Sequence, residues 1–197
     1  MAKLRYESSN LSYPRRTMFT RRQFLKAGIA GGALLVAVRA AYGPFSPDPR
    51  VREDLSFKYA LLDSTHRSIL AGIAPVMLAG ALPADAAERQ SAILEVIRGV
   101  DRAAAGLPPA VQDEVAQLFA LLGFPLTRRL LAGVRRPWLD ADSESIQRFL
   151  ERWRDSPLAL LRSAYAALHE LIMAAWYGNS VAWSRIGYAG PPALTRN

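Results

Sequence analysis

The 197-residue sequence predicts an all-α protein: a single bundle of five or six helices, with a flexible basic segment before it and an irregular aromatic, proline-rich tail after it. Three observations predict this. Apolar residues recur at spacings of three and four along most of the chain. No segment sustains an alternation of two, and Val and Ile are scattered rather than clustered as strands require. Proline, glycine and short acidic side chains interrupt the apolar pattern at intervals of about one helix, where helices start and stop.

Each element has its own signal. From Leu55 to about Leu78, residues Leu61, Leu62, Ile69, Ile73, Val76 and Met77 fall near a period of 3.6, which predicts a first helix kinked or split late by Pro75. Asp85 to Ala105 is a second, set off by Pro83 and Gly106, with Ile93, Leu94, Val96, Ile97 and Val100 in one stripe. Pro108-Pro109 open a third, which carries Val111, Val115, Leu118, Phe119 and Leu122 and closes at Gly123. A short fourth runs from Pro125 to Gly133. Asp142 or Ser143 caps a fifth, with Ile146, Phe149, Leu150 and Trp153 on one side. Ser156-Pro157 then lead into the longest and most apolar helix, through Leu168, Leu171 and Ile172 to Trp176. No repeat of domain-building length is present. Trp138 and Trp153 read as core anchors.

Charge is unevenly spread. Residues 1–40 hold eight of the 25 Lys and Arg but one of the 17 Asp and Glu, so the net charge of +8 lies almost wholly there. The remainder is nearly neutral and has one lysine, Lys58. That balance implies no concentrated basic surface of the kind that binds nucleic acid. With no cysteine, the chain has no disulfide, no thiol catalysis and no thiolate ligand for iron–sulfur or c-type haem.

The basic stretch has a recognisable order. Thr20-Arg21-Arg22-Gln23-Phe24-Leu25-Lys26 is followed by an apolar run from Ala27 to Val38 that includes three glycines. At 12 residues the run is short of the roughly 20 that span hydrocarbon. The segment resembles a twin-arginine export signal, with Arg21, Arg22, Phe24, Leu25 and Lys26 as its determinants. Such a signal carries folded cargo across a membrane and places the protein in the periplasm. Val38-Arg39-Ala40 offers a cleavage site; retention of an uncleaved signal at the membrane is the other fate. Residues 1–40 are thus the signal and 41–54, with Pro44, Pro47 and Pro49, a linker. Residues 55–177 form the helical domain and 178–197 a docking tail.

Chemistry is sparse. The two histidines, His66 and His169, are distant in sequence. Asp63 and His66 lie three apart, so a carboxylate–imidazole contact is feasible on a helix. No third metal ligand is spaced to join them. There is no nucleophile elbow, phosphate loop or dinucleotide fingerprint in a strand–helix setting. Arg128-Arg129 and Arg135-Arg136 could face an acidic partner or simply solvent.

The tail is dense in aromatics, glycine and proline. Trp176-Tyr177, Trp183 and Ile186-Gly187-Tyr188-Ala189-Gly190-Pro191-Pro192 resemble the closing segment of the gluconate 2-dehydrogenase subunit 3 type. These are small subunits of periplasmic sugar and alcohol dehydrogenases. Val100-Asp101-Arg102-Ala103-Ala104-Ala105-Gly106-Leu107-Pro108-Pro109 and Trp153-Arg154-Asp155-Ser156 look like the subgroup that accompanies flavoproteins of the glucose–methanol–choline type. Where many relatives carry Ile-Ile-Pro-x-Asp, this chain has Gly72-Ile73-Ala74-Pro75-Val76. The resemblance implies a non-catalytic escort subunit that binds no cofactor itself. Its large partner would carry FAD and leave through the twin-arginine translocase with it, and a cytochrome c subunit often completes such complexes. It implies partner contacts from Trp176, Tyr177, Trp183, Ile186, Gly187, Tyr188, Pro191 and Pro192. The alternative from a different class is a stand-alone exported helical protein, either a ligand-binding module or a small enzyme using His66 with Asp63.

Overall fold

The computed structural model describes residues 54, 56–179 and 182–183. Within them the protein is all-helical, with no strand. Six helices follow one another: α1 (Ser64–Met77), α2 (Ala86–Ala105), α3 (Pro109–Gly123), α4 (Pro125–Ala132), α5 (Ser143–Arg154) and α6 (Ala159–Tyr177). A single 3₁₀ turn, Trp138–Asp140, stands between α4 and α5.

Helix α1 sits in the middle of the bundle and touches α2, α3, α5, α6 and the 3₁₀ turn. Its Ile69, Leu70, Ile73 and Ala74 are fully buried. The i, i+1, i+4, i+5 spacing of these four puts a wide apolar face on one short helix. The most extensive pairing is between α2 and α6. It depends on Gly99, because a Cβ there would stand 2.8 Å from the Cβ of Ala175. That close approach seats Val96 and Val100 beside Ile172 and Trp176 in one core.

Three sequence expectations need correction. The first helix begins at Ser64, not Leu55. Residues 56–62 run instead as an irregular strap whose backbone N–H groups turn towards α2 rather than into a helical ladder. Pro75 does not split α1, which continues to Met77. It lies in the last turn, where only one backbone bond is forfeited. The longest helix is α2, with 20 residues against 19 in α6. Helix α6 starts at Ala159, because Ser156 accepts from the Leu158 N–H (3.1 Å) ahead of the first turn.

Other signals act as read. Asp85 caps α2 through the N–H groups of Ala87 and Glu88, both at 2.9 Å. Pro109 occupies the first position of α3. Asp142 caps α5 through the Ser145 N–H at 2.7 Å. Helix α4 widens from an α turn (Pro125–Thr127) into a π turn (Arg128–Ala132) and ends at Gly133, whose φ of 67° is left-handed. Trp138 and Trp153 are both core residues, each in a T-shaped contact with Phe149. Their indole N–H groups donate to the carbonyls of Leu122 (2.9 Å) and Leu131 (3.1 Å). A large apolar ring with one polar handle closes gaps between helices in this way.

Candidate functional site

Three places on the domain hold the residues that bear on function: the strap with the end of α6, the start of α1, and a basic groove beside α5. The strap comes first in the chain. Asp101 is 2% exposed and accepts the N–H groups of Ala60 (2.9 Å), Leu61 (3.0 Å) and Leu62 (2.9 Å). One carboxylate thus satisfies three donors that no helix could serve. One turn earlier, Arg98 grips Asp54 with Nε and Nη2 at 2.7 and 2.8 Å. The guanidinium, together with hydrogen bonds from Ser56 and Tyr59, holds the Asp54 carboxyl well below the usual carboxylate range. The Arg98 and Arg102 guanidiniums both lie over the Phe57 ring, and that of Arg67 over Tyr59. The strap is therefore fixed to α2 by charge, hydrogen bonds and cation–π contacts. Asp101 and Arg98 were missed as a pair in the sequence. The available signal was a carboxylate set among Val96, Ile97, Val100 and Ala104, the core-facing positions of α2.

The other chain end meets the same turn of α2, through Gly99 and Ala175. Next to Ala175, Trp176 is 3% exposed and belongs to the core, so its role is packing rather than presenting a face to a partner. Tyr177, by contrast, is 56% exposed. Trp183 is half-buried and donates its indole N–H to the Tyr177 carbonyl at 2.6 Å. Ala182 is fully buried, so the core reaches past α6 into the segment set aside as tail. Asp54, through Arg98, and Ala175, at Gly99, thus meet the same turn of α2. Arg21, Arg22, Phe24, Leu25 and Lys26 lie outside the described residues, as do Ile186, Gly187, Tyr188, Pro191 and Pro192.

Asp63 and His66 do meet, in a capping box at the start of α1. The Asp63 carboxylate accepts the His66 N–H at 2.8 Å, and His66 Nδ1 accepts the Asp63 N–H at 3.4 Å. The ring rests against Phe119, centroids 5.0 Å apart. Burial pushes the imidazole pKa below its ordinary value, against the opposing pull of the Asp63 carboxylate and the Leu61 carbonyl. Nδ1 accepts the Asp63 N–H and so closes the capping box. His169 is on α6, stacked on Tyr165 at 5.8 Å and remote from His66. Among the described residues no three His, Asp or Glu side chains converge as metal ligands would.

The third place is a groove of about 750 Å³ between the Gly133–Arg136 loop and α5. Arg135 and Arg136 line one wall, and Arg148 and Arg152 the other. Arg152 donates to the Ala132 carbonyl at 2.6 Å, and its guanidinium occupies the space a side chain at position 133 would need. The sequence shows Arg135-Arg136 but not their convergence with Arg148 and Arg152, since that depends on how α5 docks. Arg128 and Arg129 stay apart from this lining. Arg128 Nε is buried without a hydrogen-bond partner, and burial, helped by Arg129, pushes its pKa down.

No family model, no curated protein and no solved structure matches the chain.

Proposed function

We propose that the protein is an accessory subunit that binds a flavin-dependent sugar or alcohol dehydrogenase of the glucose–methanol–choline type and carries it, folded, through the twin-arginine export route to the periplasm. The observation that carries this reading is the presence of two signals in one chain: Thr20-Arg21-Arg22-Gln23-Phe24-Leu25-Lys26 near its start and Ile186-Gly187-Tyr188-Ala189-Gly190-Pro191-Pro192 near its end. The first addresses folded cargo. The second, with Trp183 and the exposed Tyr177, is rich in aromatic residues and prolines, residue types that lose little entropy on docking. FAD and the reacting groups belong to the partner in this reading, and the small subunit supplies address and attachment.

His66 has a structural role that suits this division of labour: with Asp63 it caps the start of α1, and its ring packs on Phe119. The strap supports it as well. An escort pulled by its leader must transmit that pull to a folded domain, and Asp54, the last residue of the linker, is bound to Arg98 of α2.

The test is Arg21→Lys combined with Arg22→Lys in cells that make both subunits. Both proteins should then be retained in the cytoplasm, with flavin absorbance co-purifying with the small subunit from that fraction. Export of the flavoprotein at the normal level in the double variant would refute the escort role.

A further inference from the structure

We propose that the arginine-lined groove between the Gly133–Arg136 loop and α5 docks an extended acidic segment of a second protein. The walls bring together Arg135, Arg136, Arg148 and Arg152 against two acids, Asp142 and Glu151. Asp142 is already engaged at the N-terminus of α5, where its carboxylate accepts from Ser145 N–H and Oγ. Arg152 is held at the groove edge by the Ala132 carbonyl. No carboxylate among the described residues pairs with Arg135 or Arg136, and both are exposed. Planar guanidinium forks converging on one concavity match carboxylates better than any other protein group. At about 750 Å³ the space lies within the range of roughly 300–1,000 Å³ that ligand sites occupy.

The occupant comes from another chain. Residues 1–53 carry ten Lys and Arg against Glu7, Asp48 and Glu53, and residues 184–197 carry Arg185 and Arg196 with no Asp or Glu. Both segments are repelled by a basic slot. The occupant also carries apolar residues. Leu126, Leu130 and Leu131 are 50%, 71% and 42% exposed and lie just before Gly133 in the chain. The Leu131 carbonyl is bound by Trp153 of α5, so this apolar shoulder adjoins the groove. Exposed leucines clustered beside a basic slot mark a contact surface. The concavity favours a chain over a membrane, because a planar headgroup layer cannot enter a recess between a loop and a helix. This inference requires no flavoprotein and stands or falls separately from the export role.

The probe is a short fluorescent peptide of alternating Glu and Leu, titrated against the full chain by anisotropy, with the Lys–Leu peptide as control. Vesicles rich in phosphatidylglycerol are assayed in parallel. The expected result is saturable binding of the Glu peptide that weakens with salt, since surface charge is screened over about 10 Å at 0.1 M. Arg135→Glu with Arg136→Glu should lower that affinity by at least about tenfold and favour the Lys peptide, with the melting temperature unchanged. Arg148→Glu, on the exposed side of α5, is the second variant and should weaken binding if the loop variant fails to fold. Equal binding of the two peptides, or affinity indifferent to these substitutions, overturns the proposal. So does vesicle binding without peptide binding, or self-association through the same arginines in place of peptide binding.

Discussion

Asp101 shows how much one side chain can organise. It is buried, it is ionisable, and its two oxygens terminate three backbone N–H groups of the strap. Asparagine at this site keeps one oxygen and turns an NH₂ group towards a backbone donor. Asp101→Asn should therefore cost about 2–3 kcal/mol, as charge-assisted bonds are lost and a buried donor is left unmet. In a domain of this size that appears as a melting temperature lower by about 4–12 °C. A shift of under a degree would remove the clamp from this account. His66 gives a pH signature. Its folded pKa lies below the ordinary 6.5, so the unfolded chain takes up the proton first as pH falls. The stability conferred by the neutral ring is complete above pH 6.5 and is lost as pH falls from there through the folded value. His66→Gln retains a capping-box acceptor that does not titrate. The wild-type melting temperature should drop more steeply than that of His66→Gln between about pH 7 and 5. Parallel curves would show that the imidazole does not carry the effect.

At the scale of elements, the end of α6 separates two adjacent aromatics by the direction each faces. Trp176 points into the bundle and Tyr177 out of it. A Trp→Ala substitution in a core costs about 3–5 kcal/mol, through lost burial and the cavity left behind. Trp176→Ala should thus lower thermal stability strongly, while Tyr177→Ala leaves it within about 0.5 kcal/mol. If the tail docks as proposed, Tyr177→Ala should reduce partner binding at unchanged stability. Similar melting losses in both would place Tyr177 in the core as well. The pairing also explains a limit of pattern reading. Both residues continue the apolar run of α6, and the sequence does not say which of the two neighbours is buried until α6 is seated on α2.

For the whole molecule, the notable arrangement is that strap and C-terminal segment both bear on one turn of α2. Arg98 and Asp101 hold the first, and Gly99 admits the second. Where the folded unit ends follows from burial rather than from helix boundaries. A chain stopped after Gly178 loses the fully buried Ala182 and the indole bond from Trp183 to Tyr177. A chain stopped after Trp183 keeps both. The longer truncate should melt like the full chain and bind the partner less well, whereas the shorter should melt earlier. Identical melting of the two would mean that residues 179–183 add nothing to the fold.

The sequence by itself determined the all-helical class, most helix boundaries and the core roles of Trp138 and Trp153. Those depend on local spacing, caps and prolines, which act within a few residues. It also contained the Thr20–Lys26 and Ile186–Pro192 strings on which the proposed export role rests. Tertiary structure decided the rest: that residues 56–62 precede a helix instead of forming one, that Trp176 is core, and that four arginines from two elements share a groove. Each depends on a partner tens of residues away: Asp101 for the strap, Gly99 for α6, and the seating of α5 for the arginines. Periodicity within one segment carries no information about a hydrogen-bond acceptor, or a missing Cβ, on another.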